Sequence, residues 1–196
     1  MQMLIFSVIA SLFLSLTRIM IALISKSKSF LREPIDWSKS FGRLLKACDE
    51  LLAIASFSFS VSLVWILVQN SHKYIFSLAV AIVSLLYCNI AWIGTVSLLG
   101  NLVYPVNELK TPEDGNYLTT FLQIYSRIHL ADLSLGILTA SLANLSAELP
   151  IQLTGFAVGI SQMIFTYYSE PIKAKSYIFS VSIWNVWIIL FYLNIY

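Results

Sequence analysis

Residues 1–25 read MQMLIFSVIASLFLSLTRIMIALIS, an apolar run whose only charged side chain is Arg18. A helix needs about 20 apolar residues to cross the hydrocarbon core of a bilayer, so this run is long enough. It lacks the basic amino-terminal region and the small-residue cleavage pattern of a secretory signal peptide, and its positive charge follows the apolar run. We therefore predict a retained membrane-spanning helix here.

The composition of the whole chain agrees with this first segment. Of its 196 residues, 58% are hydrophobic and 11% are charged, whereas a soluble domain carries roughly 25% charged residues. We predict an all-α fold, a polytopic helical bundle in which residues 1–196 form a single transmembrane domain in contact with the lipid bilayer. The apolar runs predict six spans, at approximately 3–25, 50–70, 74–103, 118–147, 150–169 and 176–196.

Lysine and arginine are distributed unevenly among the connections between these spans. The opposite side carries Lys73 alone, and one side carries nine: Lys26, Lys28, Arg32, Lys39, Arg43, Lys46, Lys110, Lys173 and Lys175. By the positive-inside rule the side with nine is cytoplasmic, and six spans then place both termini on the non-cytoplasmic side. An odd number of spans would overturn this orientation.

The connection between the first two spans, residues 26–49, has a helical pattern of its own. Pro34 suits the first turn of a helix, and apolar residues then recur at helical spacing between charged ones: Trp37, Phe41, Leu44, Leu45 and Cys48. This predicts an amphipathic helix, which beside a membrane lies in the headgroup plane. Two alternatives stay open, an extension of the second span and a docking surface for a membrane or cytoplasmic protein partner. We predict no nucleic-acid partner, since no basic cluster is long enough.

Small and polar residues form stripes along three of the predicted helices, and such stripes let membrane helices approach closely. The fourth span carries Tyr125, His129, Asp132, Gly136, Thr139, Ala143 and Ser146, the fifth carries Gln152, Gly155, Gly159, Gln162 and Thr166, and the first carries Ser7, Ser11, Ser15 and Arg18. A short turn makes the fourth and fifth spans antiparallel neighbours. We therefore predict that Gly136 and Ala143 pack near Gly155 and Gly159.

The stretch IYSRIHLADLSLG, residues 124–136, puts three ionisable side chains into or beside a span. Arg127 lies away from the small-residue stripe, and we predict that it extends toward the cytoplasmic headgroups. Asp132 needs a partner, since a lone carboxylate in hydrocarbon is costly. We hypothesise an interior cluster of Arg18, Asp132 and His129. It would be either a polar clamp between helices or a solute- or proton-linked site.

No motif in the sequence indicates covalent chemistry. There is no phosphate-binding loop, zinc-protease motif or nucleophile elbow, and Cys48 and Cys88 have no redox or metal spacing. We therefore predict no catalytic residue, no cofactor and no metal site, and Trp92, Trp184 and Trp187 are assigned to packing or interfacial anchoring.

The sequence favours a transporter of a small solute or ion, or a membrane subunit of one. Its polar path would be lined by Arg18, His129, Asp132, Gln152 and Gln162. Two other functions stay open, a non-catalytic accessory or scaffold subunit of a larger membrane complex and an intramembrane enzyme built on the His129 and Asp132 pair.

Overall fold

The computed structural model describes residues 1–25, 34–70, 74–103, 114–166 and 174–196, and these ranges form six α-helices. The helices are α1 Gln2–Ser25, α2 Pro34–Gln69, α3 Ile75–Val103, α4 Asp114–Ala143, α5 Leu149–Ile164 and α6 Ala174–Ile195. The predicted helical membrane bundle is confirmed, and each predicted span overlaps one helix.

Four of the helices are long and apolar enough to cross a membrane: α1, α2 from Gly42 onward, α3 and α6. Their outward faces carry large hydrophobic side chains, and Phe57 and Phe76 are 71% and 82% exposed. A continuous apolar surface of this kind is stable in lipid and unfavourable in water. The other two helices differ, since α4 carries Arg127 and Asp132 and α5 has 16 residues.

The six helices form a closed ring in chain order. Each helix packs against the next one in the chain, and α6 returns to pack against α1. The interior of the ring is filled by buried aromatic side chains. Phe59 of α2 makes edge contacts with Trp92 of α3 and Trp184 of α6, with ring centroids 6.0 Å and 5.7 Å apart.

The amphipathic segment before the second span is part of α2. The helix begins at Pro34 and continues without a break to Gln69, so the structure contains the extension that the sequence left open as an alternative. Leu45 and Cys48 on it are buried, and Arg43 and Lys46 are exposed. Several positions used in the sequence analysis lie outside the described residues: the remainder of the proposed partner segment, 26–33, and Lys26, Lys28, Arg32, Lys73, Lys110 and Lys173.

The turn between α4 and α5 is organised by Ser146. Its backbone N–H donates to the carbonyl of Ala143, and its hydroxyl oxygen accepts from the backbone N–H of Glu148 at 3.1 Å. Pro150 lies in the first turn of α5, where its missing N–H costs no helical hydrogen bond. Because this turn begins directly after Ala143, α4 ends four residues before the predicted boundary at 147 and packs antiparallel to α5.

Candidate functional site

A buried ion pair between Arg18 of α1 and Asp132 of α4 lies inside the ring. Nη2 of Arg18 donates to Oδ1 of Asp132 at 2.7 Å, and the two residues are 4% and 1% exposed. These helices are not neighbours around the ring, so the long arginine side chain reaches across the interior. The contact on which the cluster hypothesis depends is therefore present.

A glutamine from α5 joins this pair to α6. Nη2 of Arg18 also donates to Oε1 of Gln162 at 2.7 Å. The amide nitrogen of Gln162 donates to the carbonyl and the hydroxyl oxygen of Ser180 at 2.8 Å and 2.6 Å. Both ends of the Gln162 amide are thus bonded, and one continuous set of polar contacts connects α1, α4, α5 and α6.

Aromatic rings from α6 enclose the guanidinium group. The Cζ atom of Arg18 lies 5.8 Å from the ring centroid of Tyr177 and 5.6 Å from that of Trp184, within the range of cation–π attraction. The hydroxyl of Tyr177 is 3.4 Å from Oδ1 of Asp132. Trp184 is held in turn by its ring N–H, which donates to the hydroxyl oxygen of Thr139 at 2.9 Å.

Two nitrogens of the guanidinium group lack a hydrogen-bond partner in the part of the chain that the structure describes. Nε and Nη1 of Arg18 are buried and form no hydrogen bond with the described residues. Beside the pair is a cavity of about 10 Å³, which is lined by Arg18, Ile21, Leu52, Trp92, Ile128 and Asp132. A space of that size holds roughly one water molecule. Buried donors without an acceptor are uncommon in folded proteins and call for a physical explanation.

The other two residues of the predicted polar path form hydrogen bonds with residues outside the cluster. Nδ1 of His129 lies 2.8 Å from the hydroxyl oxygen of Thr166, which connects α4 to the segment that follows α5. The amide of Gln152 donates to the carbonyl of Ser146 in the α4–α5 turn at 2.8 Å. Ten residues of α5 separate Gln152 from Gln162, which is about 15 Å along a helix. The structure therefore does not bring Gln152 into the cluster, because this side chain completes the turn.

The small residues of α4 and α5 lie against each other. A Cβ atom added to Gly136 would come within 2.6 Å of the carbonyl oxygen of Gly159, and one added to Gly159 would come equally close to the carbonyl oxygen of Gly136. A Cβ at Gly155 would meet the Cβ of Ala143 at 2.6 Å and the ring of Trp187. The two backbones are thus in direct contact, and Gly136 lies one helical turn after Asp132.

Sequence reasoning missed the contribution of α6 to this cluster. Tyr177, Ser180 and Trp184 all contact the ion pair or Gln162. The clustering of Trp92 and Trp184 on the third and sixth helices was a visible signal, but it was assigned to packing or anchoring. The spacing of polar and aromatic residues along α6 does not indicate that one of its faces contacts an arginine from α1.

The chain matches no protein-family model, no curated protein and no solved structure.

Proposed function

We propose that this protein is a six-span membrane protein of the transport type, whose Arg18–Asp132 pair is a binding or coupling site for a small solute or ion. The observation that supports this most directly is the pair of unbonded guanidinium nitrogens of Arg18 beside a small cavity. The reaction class is binding and translocation, with no covalent step.

The energetics of burial favour a functional role for this arginine. Placing an arginine or an aspartate inside a membrane helix is costly, up to about 2.5–3.5 kcal/mol at the helix centre on insertion scales. An ion pair buried for stability alone is often no better than apolar residues of similar volume. The two guanidinium nitrogens that form no hydrogen bond with the described residues are donors that can bind an acceptor atom of a solute.

The position of the pair in the ring suits a site that opens and closes. Arg18 reaches Asp132 across the interior, between helices that do not pack side by side. Separation of these two side chains would open the interior without first breaking a helix–helix interface. In the present conformation the pair is closed, because its cavity of about 10 Å³ has room for roughly one water molecule.

A scaffold or accessory subunit is the second candidate, and one observation favours it. Arg18, Asp132 and Gln162 are sealed in packing, at 4%, 1% and 2% exposure. In a scaffold these side chains would stay buried permanently. In a transporter they would be buried in one conformation and reached by water in another. The two functions therefore differ in whether water ever reaches the pair.

The number of spans and the orientation are part of the proposal. Support for α4 and α5 as spans comes from their places in the closed ring, between α3 and α6. The nine lysine and arginine residues between or at the ends of the predicted spans on one side support a cytoplasmic location for that side, with both termini opposite.

Cysteine accessibility at the cavity tests the transport proposal without breaking the ion pair. Ile128 lines the cavity, so Ile128→Cys would be made in a chain carrying Cys48→Ser and Cys88→Ser. A matched control is Ile124→Cys, which is buried on the same helix, nearer the same membrane surface and outside the cavity lining. We expect a small membrane-impermeant thiol reagent to label Ile128→Cys from one side and to leave Ile124→Cys unlabelled. Protection of both cysteines from both sides in folded protein would favour the scaffold instead.

A further inference from the structure

A second arginine lies on the outer wall of the ring, away from the Arg18 cluster. Arg127 of α4 is exposed, and its guanidinium group lies against the backbone of α3 at Gly94. A Cβ added to Gly94 would collide with the guanidinium group, at 2.6 Å from Cζ. Gly94 therefore provides the space in which this side chain rests. Arg127 forms no ion pair with the described residues.

Two exposed polar residues lie near Arg127 on the same wall. Ser97 follows Gly94 by one turn of α3, and Gln123 precedes Arg127 by one turn of α4. Because these helices are neighbours joined in sequence and run antiparallel, both residues lie on the side of Arg127 that faces the α3–α4 connection. The wall thus presents a guanidinium group, an amide and a hydroxyl, which we call the Arg127 patch.

On the other side of Arg127 the wall is apolar. Ile90 and Ile93 of α3 and Leu130 of α4 are all exposed there. Gly94 is 19 residues beyond the start of α3 at Ile75, a distance of about 28 Å along a helix. The hydrocarbon core of a bilayer is about 30 Å thick. With Ile75 placed at one edge of the core, the Arg127 patch would lie close to the other edge, where acyl chains end and headgroups begin.

We propose that the Arg127 patch binds the headgroup phosphate of an anionic phospholipid. Arginine binds phosphate oxygens through two parallel N–H bonds, and Ser97 and Gln123 supply further donors. The exposed isoleucines and Leu130 would contact the acyl chains of the same lipid. The adjoining apolar surface distinguishes this site from one for a free anion, and the charge of the patch favours anionic lipids over zwitterionic ones.

Native mass spectrometry of the full chain in neutral detergent tests this proposal. The probes are phosphatidylglycerol and phosphatidylcholine with identical acyl chains. We expect the chain to bind phosphatidylglycerol more tightly than phosphatidylcholine. One basic residue near a membrane surface contributes enough binding energy that Arg127→Gln should weaken phosphatidylglycerol binding by about five-fold, with no change for phosphatidylcholine. Arg127→Lys should recover part of the loss.

Two further variants make the test specific to this patch. Gly94→Ala leaves the charge intact but displaces the guanidinium group from α3, so we expect it to weaken phosphatidylglycerol binding as well. Arg43→Gln removes a different exposed arginine, on α2, and should leave binding unchanged. Unchanged binding in folded Arg127→Gln, equal affinity for both lipids, or an equal loss in Arg43→Gln would each overturn the proposal. If Arg127→Gln failed to fold, Arg127→Lys and Gly94→Ala would decide it by the same readout.

Discussion

Helix α4 makes two different kinds of contact with its neighbours, a close backbone contact and an ion pair. At Gly136 its backbone lies directly against Gly159 of α5. One turn earlier on the same face, Asp132 pairs with Arg18 from across the bundle. The first contact depends on the absence of side chains and the second on the presence of two charges. Different substitutions should therefore destabilise them. Close backbone packing is disrupted by an added side-chain atom, and an ion pair is disrupted by the removal of one of its two charges.

The largest effect is expected from removing one charge of the pair. Asp132→Leu leaves the Arg18 guanidinium buried without its carboxylate, and breaking a buried pair from one side costs about 3–5 kcal/mol of folding free energy. Arg18→Met combined with Asp132→Leu removes both charges and should recover most of that cost. The free energy of unfolding in detergent-containing bicelles, measured by titration with a denaturing detergent, would test this. A double variant as unstable as the sum of both single ones would show that the charges do not act as a pair.

A smaller but distinct effect is expected at the contact between α4 and α5. Gly159→Ala would place its Cβ 2.6 Å from a backbone oxygen, which cannot move aside as a flexible side chain can. Overpacking of this kind costs about 1–3 kcal/mol. Gly100→Ala is the matched control, since nothing lies within 4 Å of its added Cβ. The same unfolding titration should find Gly100→Ala neutral or slightly stabilised, and equal effects at the two glycines would contradict a specific contact.

The sequence predicted the helical bundle well because the requirement for apolar spans and internal backbone bonding leaves few alternatives in a membrane. It also led to the Arg18 and Asp132 contact, since two lone charges at similar depth each need a partner. It could not indicate which residues complete the cluster. Gln152 and Gln162 occupy the same stripe of α5, and the difference between them follows from the position of the turn at Ser146.

The periodicity of apolar residues also does not decide the structure of the segment before the second span. The apolar spacing of residues 34–48 fits an interfacial helix and an extension of α2 equally well, because both have the same repeat. The distinction depends on whether the backbone bends before the span. Between Pro34 and the span the sequence contains one glycine, Gly42, and no further proline. A glycine permits a bend but does not require one. In the structure the helix continues through that glycine.

A further prediction separates backbone contact from side-chain contact within α5 itself. Gly155→Ala would meet the Cβ of Ala143 and the ring of Trp187, and neither is backbone. Its cost should be near the lower end of the overpacking range, about 1 kcal/mol, and below that of Gly159→Ala. Adding Ala143→Gly to Gly155→Ala should recover part of the loss in the unfolding titration. If Ala143→Gly made the variant less stable still, the contact between these two positions would not be the cause.

The smallest effect is expected from a neutral hydrogen bond at the edge of the charged cluster. Thr139→Val removes the hydroxyl that accepts from the Trp184 ring N–H and keeps the shape of the side chain. Hydrogen bonds between membrane helices contribute about 0.6 kcal/mol on average, so the loss in unfolding free energy should be near that value. Thr154→Val is a suitable control, because the Thr154 hydroxyl is exposed and bonds within its own helix. A loss at Thr139 as large as that of Asp132→Leu would mean that Trp184, and not the carboxylate, holds Arg18 in place. The charged pair would then depend on the aromatic ring, and Trp184 would replace Asp132 in the comparison of the two contacts of α4.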